Sequence, residues 1–390
     1  MFMKYCCGCG LCQSAGLAEL QKNEDGFFVA NGSSNEFEEF CRTVCPCYGA
    51  QMKEYSKDSV WGNYRSVYLG FSSDAQVRYS ASSGGVLTAL CIYLIENRIV
   101  DGIIHTAADP KNPIATKTFC STSVEEIKTR CGSRYSASTP LIDIQRYFVG
   151  DKKYAYIGKP CDVTALKNYS KLNTDVCRYI KYTFSFFCAG APSEKANLRL
   201  LNDLGVEQKE CVFLKYRGNG WPGFATAIDK KGKEYRMPYR QAWGGILGRS
   251  IRPICRFCID GIGEVADIAC ADAWYLDKNG NPLFEEADGR NIVFCRSEQG
   301  EKLFRLAVNA GYICCSDYPN WNNEIKEYQK YQLQRRTTMN TSILAMKTLG
   351  REVPKYEKGV LKFYAKEISY KEKVHRYLGT IKRILQGKIS

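Results

Sequence analysis

The chain has 390 residues, 45% of them hydrophobic and 25% charged, with a formal net charge of +14 at pH 7. That size and balance fit a globular protein of two or three domains with ample core. It holds twenty cysteines and two histidines, and its start, MFMKYCCGCG, has no secretory apolar region. A cytoplasmic protein is therefore expected, with metal or redox chemistry in place of a disulfide framework. The scarcity of imidazoles argues against His-ligated zinc and a His-based hydrolase.

Residues 1–60 begin Cys6-Cys7-Gly8-Cys9-Gly10-Leu11-Cys12, a C-x2-C-x2-C run whose glycines let the loop fold back on a cluster. Cys41-Arg42-Thr43-Val44-Cys45-Pro46-Cys47 follows. Bacterial ferredoxin runs end in C-P and give that last cysteine to the other cluster. Here the first run has lost its own C-P and the second its leading C-x2-C. Crosswise ligation leaves one complete set for a 4Fe-4S cluster: Cys6, Cys9, Cys12 and Cys45. A zinc site on the same residues is the competing reading. Cys41 is left alone, and Cys7 and Cys47 read as bystanders.

Residues 61–150 read as alternating strand and helix. A strand over 66–71 leads to Ser80-Ala81-Ser82-Ser83-Gly84-Gly85 and a helix over 86–96. Its longest apolar run, 86–95, is too short to span a bilayer. Small residues before a helix N-terminus leave backbone N–H groups for an anion such as a pyrophosphate; a plain serine cap is the bland alternative. A second small-residue turn, Gly132-Ser133-Arg134-Tyr135-Ser136-Ala137-Ser138, precedes Pro140 and an expected helix. Two such turns suggest a dinucleotide. His105, at a strand end, reads as a satisfied side chain and not a base.

Residues 151–330 carry Cys161 and Cys188, each at the end of an apolar run, over 154–157 and 179–187, where open sheets place their sites. Cys255 and Cys258 form a C-x2-C pair. A pair and two strand-end singles make four thiolates, enough for a second 4Fe-4S cluster; buried structural cysteines are the alternative. The turn 215–223 joins cations to Trp221 and could cover a ring. Most of the remaining cysteines read as core fillers. No G-x-G-x-x-G turn lies between a strand and a helix, so the usual nicotinamide site is missing.

Residues 331–390 form a basic helical tail. From Trp321 onward there are 16 Lys/Arg against 6 Glu. No nucleic-acid motif accompanies this charge, so no nucleic-acid partner is expected. Apolar residues between Tyr377 and Leu385 at helical spacing fit an interfacial helix on an anionic membrane surface, a docking helix, or packing on the core.

Taken in order, SASSGGV, GSRYSAS, GKPCDVTALKN, FFCAGAPS, YRGNGWPG and CRFCIDGIGEVADIACADAW resemble the coenzyme F420 hydrogenase/dehydrogenase beta-subunit family, over about residues 1–320. The resemblance implies an α+β fold: a mixed-sheet, FAD-binding core behind an N-terminal ferredoxin-like segment. It makes Ser80, Ser82, Ser83, Gly84, Gly85, Gly132, Ser133, Tyr135 and Ser138 flavin contacts. It makes Cys161, Cys188, Cys255 and Cys258 the core cluster ligands. Two departures stand out. The family's G-T-P-C is Gly158-Lys159-Pro160-Cys161, which puts Lys159 beside the flavin ring as a catalytic candidate. Its G-D before the tryptophan is Ala271-Asp272.

The expected function is an FAD- and 4Fe-4S-dependent oxidoreductase that passes electrons from a ferredoxin or similar acidic redox protein to a small organic substrate. A non-catalytic electron-transfer subunit and a deazaflavin oxidoreductase subunit are the alternatives.

Overall fold

The computed structural model describes residues 4–48, 59–319, 321–356 and 359–387. Thirteen strands are present among them. β1 (Glu19–Lys22) and β2 (Phe28–Asn31) form an N-terminal hairpin. The main sheet takes β3 (Ser66–Ser72), β4 (Gly102–Asp109), β5 (Asn112–Ser121), β6 (Tyr154–Ile157) and β7 (Ile180–Phe186). A three-stranded antiparallel sheet is made by β8 (Cys211–Lys215), β9 (Phe224–Asp229) and β10 (Glu234–Pro238). β11 (Ile268–Asp272), β12 (Asn291–Cys295) and β13 (Ile313–Asp317) return to the main sheet.

The main sheet runs β13-β3-β12-β11-β7-β6-β4-β5. Its four middle strands, β11, β7, β6 and β4, are parallel, and the flanking pairs are antiparallel. The fold is thus mixed α+β, and the carboxyl ends of the parallel strands share one edge, where open sheets bind ligands.

Burial alternates along these strands, as a period of two requires. Ile103, Ala155, Ile268 and Val293 pack on one face with helices Val86–Glu96 and Glu298–Asn309. Ile104, Tyr156, Ala269 and Ile292 pack on the other with helix Pro160–Tyr169. Helix Val86–Glu96 is apolar on nearly every side and is correspondingly enclosed.

Sequence and structure differ at several joints. The run 179–187 divides: Tyr179 ends a short helix and the strand starts at Ile180. After Pro140 only a 3-10 turn forms, Ile144–Tyr147. Cys177, Cys314 and Cys315 are exposed, so they fill no core. The basic tail is integral at its start, because helix Lys330–Thr348 buries Arg335 and Arg336, and Arg336 pairs with the enclosed Glu264. Among the described residues no helix is long and apolar enough to cross a membrane.

The N-terminal segment is fastened to the core by two side chains and one backbone N–H. Buried Arg252 donates from Nη1 to the carbonyls of Cys6 (3.0 Å) and Phe28 (2.7 Å). Leu141 N–H donates to Cys9 C=O at 2.7 Å, and Asn168 Nδ2 to Val44 C=O at 3.2 Å. The cysteine loops therefore lie against helix Pro160–Tyr169.

Candidate functional site

A cavity of about 570 Å³ opens at the carboxyl ends of β6, β7 and β11. That volume is in the range of sites that enclose most of a small ligand, about 300–1,000 Å³. Ser82, Ser83, Gly85, Gly132, Ser133, Tyr135, Ser138 and Lys159 line it. The two small-residue turns, fifty residues apart in sequence, are tied directly: Ser82 Oγ accepts the Ser133 N–H at 2.7 Å. That bond uses the Ser133 donor. Leu87 and Thr88 line the cavity in the first helical turn, where Gly85 offers no side-chain cap and intrahelical acceptors for the N–H groups are lacking.

Two sequence candidates fall outside the lining. Ser80 Oγ donates back to Gln76 C=O at 2.7 Å within its own helix. Gly84 lies against backbone, since a Cβ there would sit 2.9 Å from Arg290 Cα and Asn291 N. Its need for glycine comes from this close approach and not from the cavity.

Lys159 caps helix Pro160–Tyr169, which starts on proline. Its Nζ stands 2.7 Å from Asp162 Oδ2 and 3.1 Å from Ser138 Oγ. Burial disfavours its charge, but Asp162 and Cys161 more than restore it, so the ammonium is held above its ordinary value. Burial pushes the Asp162 carboxyl up against the pull of Lys159. Cys161, two residues after Lys159, lies in the first turn of the same helix, so cation and thiol share one turn.

On the far wall, Arg217 and Asp272 form a two-pronged ion pair. The guanidinium lies over the Tyr239 and Trp274 rings, 4.5 and 4.9 Å from their centroids. Trp274 stacks on Trp221 at 4.6 Å and 10°. This flat, cation-backed aromatic wall suits a planar ring. Sequence reasoning singled out the 215–223 turn but missed Tyr239, Trp243 and Phe284. They arrive from the helical segment that follows β10 and from a loop, and no spacing relates them to the strand ends.

The thiols lie in three groups behind and beside the cavity. Cys7 is central to the first. Hydrogen bonds from Cys161, Cys45, Cys47 and Cys9 hold its thiol well below the ordinary value. Cys9 rises through its bond to Cys7 and through burial. A turn closed by Tyr48 N–H on Cys45 C=O (3.1 Å) swings Cys47 into this group. Cys7 and Cys47 are thus in the midst of the sulfurs, where spacing had set them aside.

Cys6, Cys12 and Cys41 form the second group. Burial, and then repulsion from neighbouring thiols (Cys6 and Cys7 for Cys12, Cys12 and Cys6 for Cys41), pushes Cys12 and Cys41 each up to about 12. Cys6 Sγ accepts the Gly8 N–H at 3.3 Å.

Cys188, Cys255 and Cys258 form the third. Burial and then Cys255 push Cys188 up to about 11, and burial pushes Cys258 up to about 12. Cys161 stands between groups, bonded to Cys7 yet lining a small cavity of about 50 Å³ with Cys47 and Cys258. Among the described residues no three of these side chains meet as a single-ion site.

The residues fit thiolate-held iron–sulfur groups in donor type and setting. The Tyr156 hydroxyl is buried without a hydrogen-bond partner. Burial raises it, as do Asp162, Cys9 and Cys161, so it sits beside the sulfurs as a spare donor. Arg335 donates to the carbonyls of Cys255 (3.2 Å) and Cys188 (2.9 Å), and Gln332 Nε2 to Cys188 C=O (3.0 Å). Both residues come from the segment that the sequence presents as a tail; charge run and composition gave no sign that they brace a thiol loop.

Fold and site together define an α+β protein with a strand-end cavity and thiol-rich loops beside it. Sequence models of the coenzyme F420 hydrogenase/dehydrogenase beta subunit match consecutively, the N-terminal one over residues 67–146 and the C-terminal one over residues 151–320. The chain belongs to this family. The coenzyme F420 hydrogenase subunit beta of Methanococcus voltae is 23% identical over 304 residues, covering 75% of this chain and 99% of that protein. The F420-dependent formate dehydrogenase subunit beta of Methanocaldococcus jannaschii is 26% identical over 300 residues, covering 74% and 70%. Among solved structures, a chain of the xenon-derivatised F420-reducing NiFe hydrogenase complex from Methanosarcina barkeri superposes with a TM-score of 0.52 at 22% identity, covering 72% of this chain and 95% of that one.

Proposed function

We propose that the chain is an electron-transferring oxidoreductase that holds FAD in the strand-end cavity and two 4Fe-4S clusters in the cysteine loops, passing electrons from a ferredoxin-like donor to a small organic substrate. The observation that carries this reading is the convergence of both small-residue turns, Lys159 and Cys188 on one cavity. A bound flavin supplies two-electron chemistry next to one-electron clusters.

The chain's own residues have separable tasks. The first turn of helix Val86–Glu96 offers N–H groups to a pyrophosphate. Lys159, fixed by Asp162 and Ser138, presents positive charge near the ring edge. Arg217, Tyr239 and Trp274 form the flat wall. Cys6, Cys9, Cys12 and Cys45 are the proposed N-terminal ligands, and Cys161, Cys188, Cys255 and Cys258 the core ligands. The packed set Cys7, Cys9, Cys45 and Cys47 is the rival arrangement for the N-terminal cluster.

The donor is tested by anaerobic stopped-flow bleaching of the flavin. Reduced ferredoxin should bleach it faster than NADH, with an advantage that shrinks in high salt because the basic chain attracts an acidic donor. Faster bleaching by NADH rejects the proposal. A second reading, a deazaflavin oxidoreductase subunit, is favoured by the names of the relatives. Fast bleaching by reduced deazaflavin that persists in Cys9→Ser would select it.

A further inference from the structure

The last described helix, Tyr370–Leu385, begins on a capping box, with Ser369 Oγ accepting the Glu372 N–H and the Glu372 carboxylate accepting from Ser369. It packs on helix Lys330–Thr348. Arg376 Nε donates to Ser342 Oγ at 3.0 Å, Tyr377 bonds Thr348 Oγ1 at 3.0 Å, and Thr380 and Ile384 are buried.

A different side is apolar and open. Tyr370 is 81% exposed, Val374 39%, Leu378 59% and Leu385 75%. Half-buried Ile381 lies between them. At 3.6 residues per turn these five fall within an arc of about 80°, running roughly 22 Å along the axis. Lys371 and Lys382 follow at the edge of that arc, and both are exposed. Five Lys/Arg and one Glu lie between Tyr370 and Leu385. The stripe is not the face that packs on the protein, and it is too regular to be scattered surface leucines.

We propose that this helix is an interfacial anchor that lays its Tyr370–Val374–Leu378–Ile381–Leu385 stripe into an anionic lipid surface. The charge pattern selects this occupant. Lysines bordering a narrow apolar stripe keep their stems on hydrocarbon and their ammonium groups at the level of lipid phosphates. The attraction adds to that of the surrounding segment, where the chain concentrates its positive charge. The proposal is independent of which cofactors the cavity and cysteines hold.

Flotation of the full-length chain with vesicles tests it. Phosphatidylcholine vesicles containing phosphatidylglycerol should carry the protein, and pure phosphatidylcholine should not. Leu378→Glu should lower the floated fraction by about tenfold or more. Lys371→Glu with Lys382→Glu should lower it and flatten its salt dependence. Iron content and melting temperature should stay at wild-type values in these variants, because none of the residues packs on the core. No flotation of the wild type, or equal flotation of Leu378→Glu, overturns the proposal. So does vesicle-free, concentration-dependent dimerisation that Leu378→Glu abolishes, since that assigns the stripe to a second copy.

Discussion

Arg217 and Asp272 meet edge to edge at the carboxyl end of β11, Nη1 to Oδ2 at 2.8 Å and Nη2 to Oδ1 at 3.2 Å. Arg217 is 3% exposed, and burial opposes its charge until Asp272 restores it and holds the guanidinium above its usual range. Asp272→Asn would leave that charge enclosed and half-served. It should cost about 2–4 kcal/mol of stability, read as a lower urea midpoint, and should weaken ring binding in the cavity. A midpoint equal to wild type would mean that Asp272 does not anchor the wall.

His105 gives a pH signature. Ser121 Oγ accepts from Arg130 Nη1 at 2.7 Å and stands 2.7 Å from His105 Nε2, so its own proton is directed at the ring. Burial, helped by Arg130 and opposed by Glu126, lowers His105 from 6.5 to about 4. The folded ring stays neutral down to about pH 4, whereas the unfolded ring binds a proton below about 6.5. Stability should therefore fall as pH drops through that window. His105→Gln should flatten this part of a melting-temperature profile; an unchanged slope would exclude His105 as the cause.

Arg335 places a buried positive charge beside Cys188 and Cys255, bonded to both carbonyls. Arg335→Met should lower the midpoint potential of the proposed core cluster, because reduction adds negative charge that the guanidinium stabilises. Potentiometric titration followed by electron paramagnetic resonance checks this. An unchanged potential in a fully loaded variant would confine Arg335 to a structural role.

The ligand choice at the N-terminus is decided by two variants. Cys9→Ser and Cys45→Ser should each remove the N-terminal signal, since both arrangements use these residues. Cys12→Ser should remove it as well and Cys7→Ser should not. The spacing C-x2-C-x2-C suits one cluster, and Cys6 Sγ already accepts a backbone N–H as a cluster thiolate does. Loss in Cys7→Ser with retention in Cys12→Ser would give the site to Cys7, Cys9, Cys45 and Cys47.

Much of the scaffold was legible in the chain. The apolar run from Val86 reads as a helix and forms one over Val86–Glu96, and the strand ends at Ile157 and Phe186 carry Lys159 and Cys188 as their sequence contexts suggest. Local pattern could say this because helix and strand periods are local. It could not say that Cys161 lies between two thiol groups, because that depends on how the N-terminal loops dock through Arg252 and Asn168. Nor could it bring Gln332 and Arg335 under the Cys188 loop, because buried charge paired with distant carbonyls leaves no periodic trace.

The most direct test of the central claim is the anaerobic analysis of iron, sulfide and flavin on the purified full-length chain. Two four-iron clusters and one flavin give about eight irons with matching sulfide, and one non-covalent FAD released by heat. Iron near four or twelve per chain, or a preparation that holds no flavin after incubation with FAD, would contradict it.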